Sequence, residues 1–175
     1  MLRINATIVV DESYGLVKAV RTLVNSCGIK TDDIAVDSFR NTIQTQVTDI
    51  EKLRCVTSVK GSITAEVKHT VTCDRNLKRV LKDLSFSVLS LESQRIVGYK
   101  AVGNAIVIVK RTSNPSVYLL TPCFIRNFTI PLPSTACTYI INRADDVERL
   151  KEVIEIVLDI GEKILNLCRG SPTSS

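Results

Sequence analysis

Tryptophan is absent from this sequence, histidine and methionine occur once each, and 175 residues hold only four phenylalanines and four tyrosines. So few aromatics leave little material for stacking on unpaired bases, and recognition of single-stranded nucleic acid by that route is poorly supported. The lone histidine, His69, and the absence of any Cys-x-x-Cys pair argue against a structural zinc site, which draws its ligands from close pairs. There is no Gly-x-Ser-x-Gly elbow and no glycine-rich phosphate loop, so no catalytic residue, metal or cofactor is expected. Long apolar runs are missing too. The longest, Ala105 to Val109, is strand-sized, whereas a bilayer span needs roughly 20 residues.

The first ten residues alternate apolar and polar side chains in place of a basic leader followed by a continuous apolar stretch. The pattern reads as a strand, not a signal peptide, and a cytoplasmic location is the expectation. In that setting the six cysteines, at 27, 55, 73, 123, 137 and 168, are expected to be reduced and mostly buried. The alternative is intracellular disulfides of the kind found in some hyperthermophiles. A net charge of +5 is mild, so any contact with a polyanion has to be local.

What is present is legible periodicity. Leu2, Ile4, Ala6, Ile8 and Val10 share one parity, the pattern of a half-buried strand. Leu16, Val20, Leu23 and Cys27 then recur at helical spacing, flanked by Val17 and Val24 and stopped at Gly28. Phe39, Ile43 and Val47, and then the alternating run Val59 to Thr72, predict two strands joined by a short linker as an antiparallel pair. A helix is expected from Asp74 as N-cap; toward Leu91, Leu84, Val88 and Leu91 fit its continuation while Phe86, Val88 and Ser90 could alternate as a strand, and the helix is preferred. Arg95 to Arg111 predicts a hairpin about Gly103 and Asn104, its second strand covered on both faces. Short strands follow at 117–121, 124–130 and 136–141, the last two separated by a turn at 131–134. A long helix from about Ala144 to Cys168 ends at Gly170, before a disordered tail at 171–175.

The expected fold is therefore α+β: a single domain over residues 1–170 with an antiparallel sheet. It has an N-terminal β-α unit, a mid-chain helix and a long C-terminal helix packed on the sheet, in a ferredoxin-like or helix-grip-like arrangement. Two charged helix faces are the candidate surfaces. Arg75, Lys78, Arg79 and Lys82 form a cationic row that Lys60 and Lys68 could extend, suited to a phosphate backbone or an acidic partner. Glu148, Glu152, Glu155 and Asp159 form an acidic row on the terminal helix, with Ile156 off its main apolar stripes, suited to a protein partner or a second copy. Either row is equally at home as a solvated face. His69 is expected to be a core or rim residue, and Gly161 a notch that admits a close backbone. The function expected is that of a non-enzymatic binding or assembly protein, engaging protein or nucleic acid or associating with itself. The alternative is a small apolar ligand held between sheet and terminal helix.

Overall fold

The computed structural model describes residues 1–91, 95–127 and 134–169. The chain is an α+β protein with an antiparallel sheet, a β-α unit at its N-terminus, a mid-chain helix and a long C-terminal helix packed on the sheet. It divides into two compact units. The N-terminal unit comprises Leu2–Val67 and Thr138–Glu152, and the central unit comprises Lys68–Cys137 with Met1 and the chain from Val153 onward.

In the N-terminal unit, β1 (Leu2–Val10) leads through Gly15 into α1 (Leu16–Arg21), which continues as a π-helical turn over Thr22–Ser26. Gly28, at φ 65°, then lets the Ile29 amide donate to the Leu23 carbonyl and close the helix. A short turn at Thr31–Asp33 precedes a hairpin of β2 (Ile34–Asp37) and β3 (Thr42–Val47). The linker expected after β3 is instead a helix, α2 (Ile50–Val56), capped by Asp49, whose carboxylate accepts from the Lys52 amide at 2.8 Å. Consequently β3 and β4 (Gly61–Thr72) are not neighbours. The strand order is β2-β3-β1-β4, with β10 (Thr138–Ile141) also paired to β4. One face of this sheet is apolar, with Ile4, Ala6, Ile8, Ile43 and Val47 buried together with Ala19 and Leu23 of α1 and Leu53 and Val56 of α2. Val17, expected to widen the helical stripe, is 68% exposed, because Ala19, Leu23 and Cys27 set the buried line instead. The other face, which carries Asn5, Thr7, Gln44, Gln46, Thr64 and Glu66, is polar.

The central unit begins within β4. The next helix, α3 (Leu77–Asp83), is shorter than expected and starts after Asn76, not Asp74. It stops because Ser85 adopts φ 65°, letting the Phe86 amide donate to the Leu81 carbonyl and turning the chain into β5 (Ser87–Leu91). The expected helical continuation to Leu91 is thus a strand, paired with β6 (Ile96–Val102), which forms the anticipated hairpin with β7 (Ala105–Arg111) through Gly103 at φ 60°. The next two expected strands are one, β8 (Val117–Asn127), although residues 128–130 of that expectation and the turn residues 131–133 lie outside the described residues. Pro122 is tolerated inside β8 because it falls between the stretch paired with β4 and the stretch paired with β9 (Ser134–Ala136), where that side needs no ladder donor. The order is β4-β8-β7-β6-β5.

The last helix, α4 (Ala144–Arg169), is as anticipated, its end at Gly170 and the tail beyond being outside the described residues. The Asp146 carboxylate accepts from the amides of Asn142 and Arg143 at 2.8 and 2.9 Å, which holds its pKa below the ordinary carboxylate value. Val157, Ile160 and Ile164 pack with Val71, Val107, Val109 and Leu120 into one core layer. Ile106 and Ile108 enter a second cluster with Ile96 and Cys123, so β7 is buried on both faces as its sequence requires.

The expectation of reduced thiols is corrected. All six cysteines pair, as Cys27–Cys55, Cys73–Cys168 and Cys123–Cys137, with Cα separations of 5.6, 5.2 and 4.1 Å. The partners lie 28, 95 and 14 residues apart in sequence, so the fold and not local spacing makes the pairs. Among the described residues no helix is long and apolar enough to cross a membrane.

Candidate interaction surfaces

The cationic row is placed as follows. Lys78, Arg79 and Lys82 lie on α3 and Arg75 just before it, and none of the four forms an ion pair with a described residue. Lys68 is half-buried in the central unit, while Lys60 precedes β4 at the end opposite the one that leads to α3.

The acidic row on α4 is partly spoken for. Glu148 accepts from Arg54 of α2 at 2.7 Å, and Arg54 also approaches Glu51 at 3.5 Å, a pairing that raises the guanidinium pKa. Asp159 pairs with Lys163 one turn on, at 3.0 Å. Glu152 and Glu155 are exposed. Ile156 is not a stray surface residue: it is half-buried against the central core and lines a groove of about 410 Å³. The lining of that groove combines the apolar Leu84, Phe86, Val102, Ile156 and Ile160 with Asp83, Asp159, Lys100 and Lys163. Lys100, also at this site, donates to the Leu84 carbonyl at 2.8 Å and lies 5.9 Å from the centre of the Phe86 ring. Its charge therefore closes the end of α3.

Two residues singled out from sequence meet in the central unit. A Cβ at Gly161 would sit 2.6 Å from Nε2 of His69, so the notch admits an imidazole, not a backbone. Burial lowers the His69 pKa, the neighbouring α-amino group lowers it further, and a hydrogen bond from the imidazole to the Met1 backbone offsets part of the shift. Beneath α4 in this unit, away from the groove, core side chains and this imidazole pack against the helix.

The N-terminal unit offers a second concavity of about 490 Å³ on its polar sheet face, where Asp32 and Asp33 stand beside Asn5, Gln44, Gln46 and Glu66. Among the described residues no group of histidine, cysteine and carboxylate side chains is arranged to hold a metal ion.

The surface that periodicity missed is the β2–β3 hairpin. Phe39, expected on the apolar side of a strand, lies in the turn and is 101% exposed. That turn is firmly held. The Asp37 carboxylate accepts from the Phe39 and Arg40 amides at 3.1 and 3.2 Å, the Asn41 amide group donates to the Val10 carbonyl, and the Val10 amide donates to the Asn41 carbonyl at 2.9 Å. Arg40, next in sequence, has 84% of its side chain exposed and its Nε 3.8 Å from Asp37. The available signal was Asp37 and Asn41 bracketing three residues between two strands, since both residue types close turns with their side chains and tolerate positive φ, as Asn41 does at 52°. No family model, curated protein or solved structure matches the chain.

Proposed function

We infer that this protein is a non-enzymatic protein-binding or assembly module. One observation carries the reading: a phenylalanine wholly in solvent, at the tip of a hairpin whose backbone is fixed by four hydrogen bonds. Exposing an aromatic ring forfeits its burial, and a rigid turn removes the ordering cost that would otherwise weaken an interface built on it. Buried aromatic anchors dominate protein interfaces, and Arg40, next to Phe39 in sequence, is the residue type that most often accompanies them. The unpaired cations of α3 suit steering of an acidic partner and make nucleic acid the secondary candidate. The apolar-ligand alternative is confined to the groove between α4 and β6, whose lining mixes five apolar residues with two aspartates and two lysines; elsewhere beneath α4 core side chains pack against the helix. Six paired cysteines favour a setting that tolerates structural disulfides, an extracytoplasmic space or a hyperthermophile's interior, over an ordinary reducing cytoplasm.

The test is a photoreactive phenylalanine analogue at position 39 in the intact, oxidised chain, irradiated in its native host. Discrete adducts are expected from position 39 and not from Val17, a residue of comparable exposure on a helix. Adducts no more frequent at 39 than at 17 would overturn the reading.

A further inference from the structure

We propose that the partner is a second copy of this chain, and that Phe39 of one copy seats in the Leu84, Phe86, Val102, Ile156 groove of the next. The proposal rests on the protein-binding reading above and names its partner. Knob and hole are carried on one sequence by different units, and Phe39, 101% exposed, packs against no described residue. Size permits the fit: a dry cavity of about 150 Å³ suffices for a benzene ring, and this groove offers about 410 Å³. Chemistry favours it, since Leu84, Val102, Ile156, Ile160 and the Phe86 ring in the lining offer apolar surface on which a phenyl group gains by leaving water.

Charge fixes the orientation. Arg40, adjacent to the knob in sequence, finds Asp83 in the groove's lining, a carboxylate that makes no ion pair among the described residues. The two lysines at the groove are already engaged, Lys163 with Asp159 at 3.0 Å and Lys100 with the Leu84 carbonyl at 2.8 Å. The contact joins two different surfaces, so it is head-to-tail, and association continues past a dimer unless the rotation closes a ring.

Sedimentation velocity of the full oxidised chain over a wide concentration range tests this. The wild type self-associates, and both Phe39→Ala and Asp159→Arg weaken association by about tenfold or more, as loss of an anchor does. Both sites are exposed, so neither substitution threatens the fold. Mixing the two variants is the decisive arm. Phe39→Ala keeps the groove and Asp159→Arg keeps the knob, so together they form a one-to-one dimer that cannot extend. A monomeric wild type, association indifferent to Phe39→Ala, or a mixture that stays monomeric would each overturn the proposal. If the wild type is monomeric while position 39 still yields adducts with a different protein, the second copy is ruled out and the protein-binding reading survives. If both fail, both readings fall.

Discussion

At the scale of the residue, Gly161 shows how a side chain can be selected by what another must occupy. Glycine inside a helix costs about 1 kcal/mol relative to alanine, yet a Cβ here would stand 2.6 Å from the His69 imidazole. Gly161→Ala is therefore expected to destabilise the protein by about 1 to 3 kcal/mol, the usual result of overpacking. In a His69→Ala background the same change should become neutral or stabilising, because the clash is gone and the propensity gain remains. Urea denaturation of the four proteins measures this coupling, and simple additivity would exclude it. The same imidazole has a folded pKa below its unfolded value, so the unfolded chain binds more protons between the two and stability rises with pH there. The contribution is complete above the unfolded pKa of about 6.5 and is lost as pH falls toward the folded value. Wild-type stability should thus drop more between pH 7.5 and 5 than that of His69→Ala, read from denaturant midpoints.

At the scale of the element, the end of α3 depends on a non-glycine residue in the left-handed region, Ser85 at φ 65°. Ser85→Gly should stabilise by about 0.5 to 1 kcal/mol, since glycine adopts that conformation without a Cβ penalty. A rise in the urea midpoint at unchanged slope is the expected record. This boundary also explains what sequence periodicity could and could not reveal. Leu2 to Val10, Ala105 to Val109 and the terminal helix were legible because one burial pattern governs each along its whole length. Residues 85–91 were not, because Leu84 and Val88 fit a helix while the deciding event is a single torsion at Ser85. The seven-residue α2 escaped because it is too short for a period to emerge, although its cap, Asp49, is a recognisable signal. The helical positions of Ile156 and Asp159 on α4 were legible from periodicity, whereas the turn position of Phe39 was not. Its spacing to Ile43 and Val47 imitates a strand while side-chain hydrogen bonds from Asp37 and Asn41 make a turn.

At the scale of the whole molecule, the three disulfides determine how loss of oxidation is felt. Each joins two cysteines of the same unit, Cys27–Cys55 in the N-terminal unit and the other two in the central unit, although the chain closed by Cys73–Cys168 includes the N-terminal unit's residues 138–152. If constraint of the unfolded chain dominates, the effect grows with loop length, and Cys73–Cys168, with a separation of 95, contributes about 4 to 5 kcal/mol against about 3 for Cys123–Cys137 with its separation of 14. At this chain length about 1 kcal/mol corresponds to a Tm shift of roughly 2 to 4 °C. Replacing Cys73 and Cys168 by alanine should therefore lower the central unit's transition by on the order of 10 to 15 °C, and replacing Cys123 and Cys137 by less. The Cys27 and Cys55 double variant, with a separation of 28, should move the N-terminal unit's transition by an intermediate amount. Calorimetry of the three double variants checks the ranking directly. An inverted order would assign the stabilisation to packing around each bridge, where Cys73 and Cys168 share the core layer of Val71 and Ile164, and not to the length of chain each bridge closes.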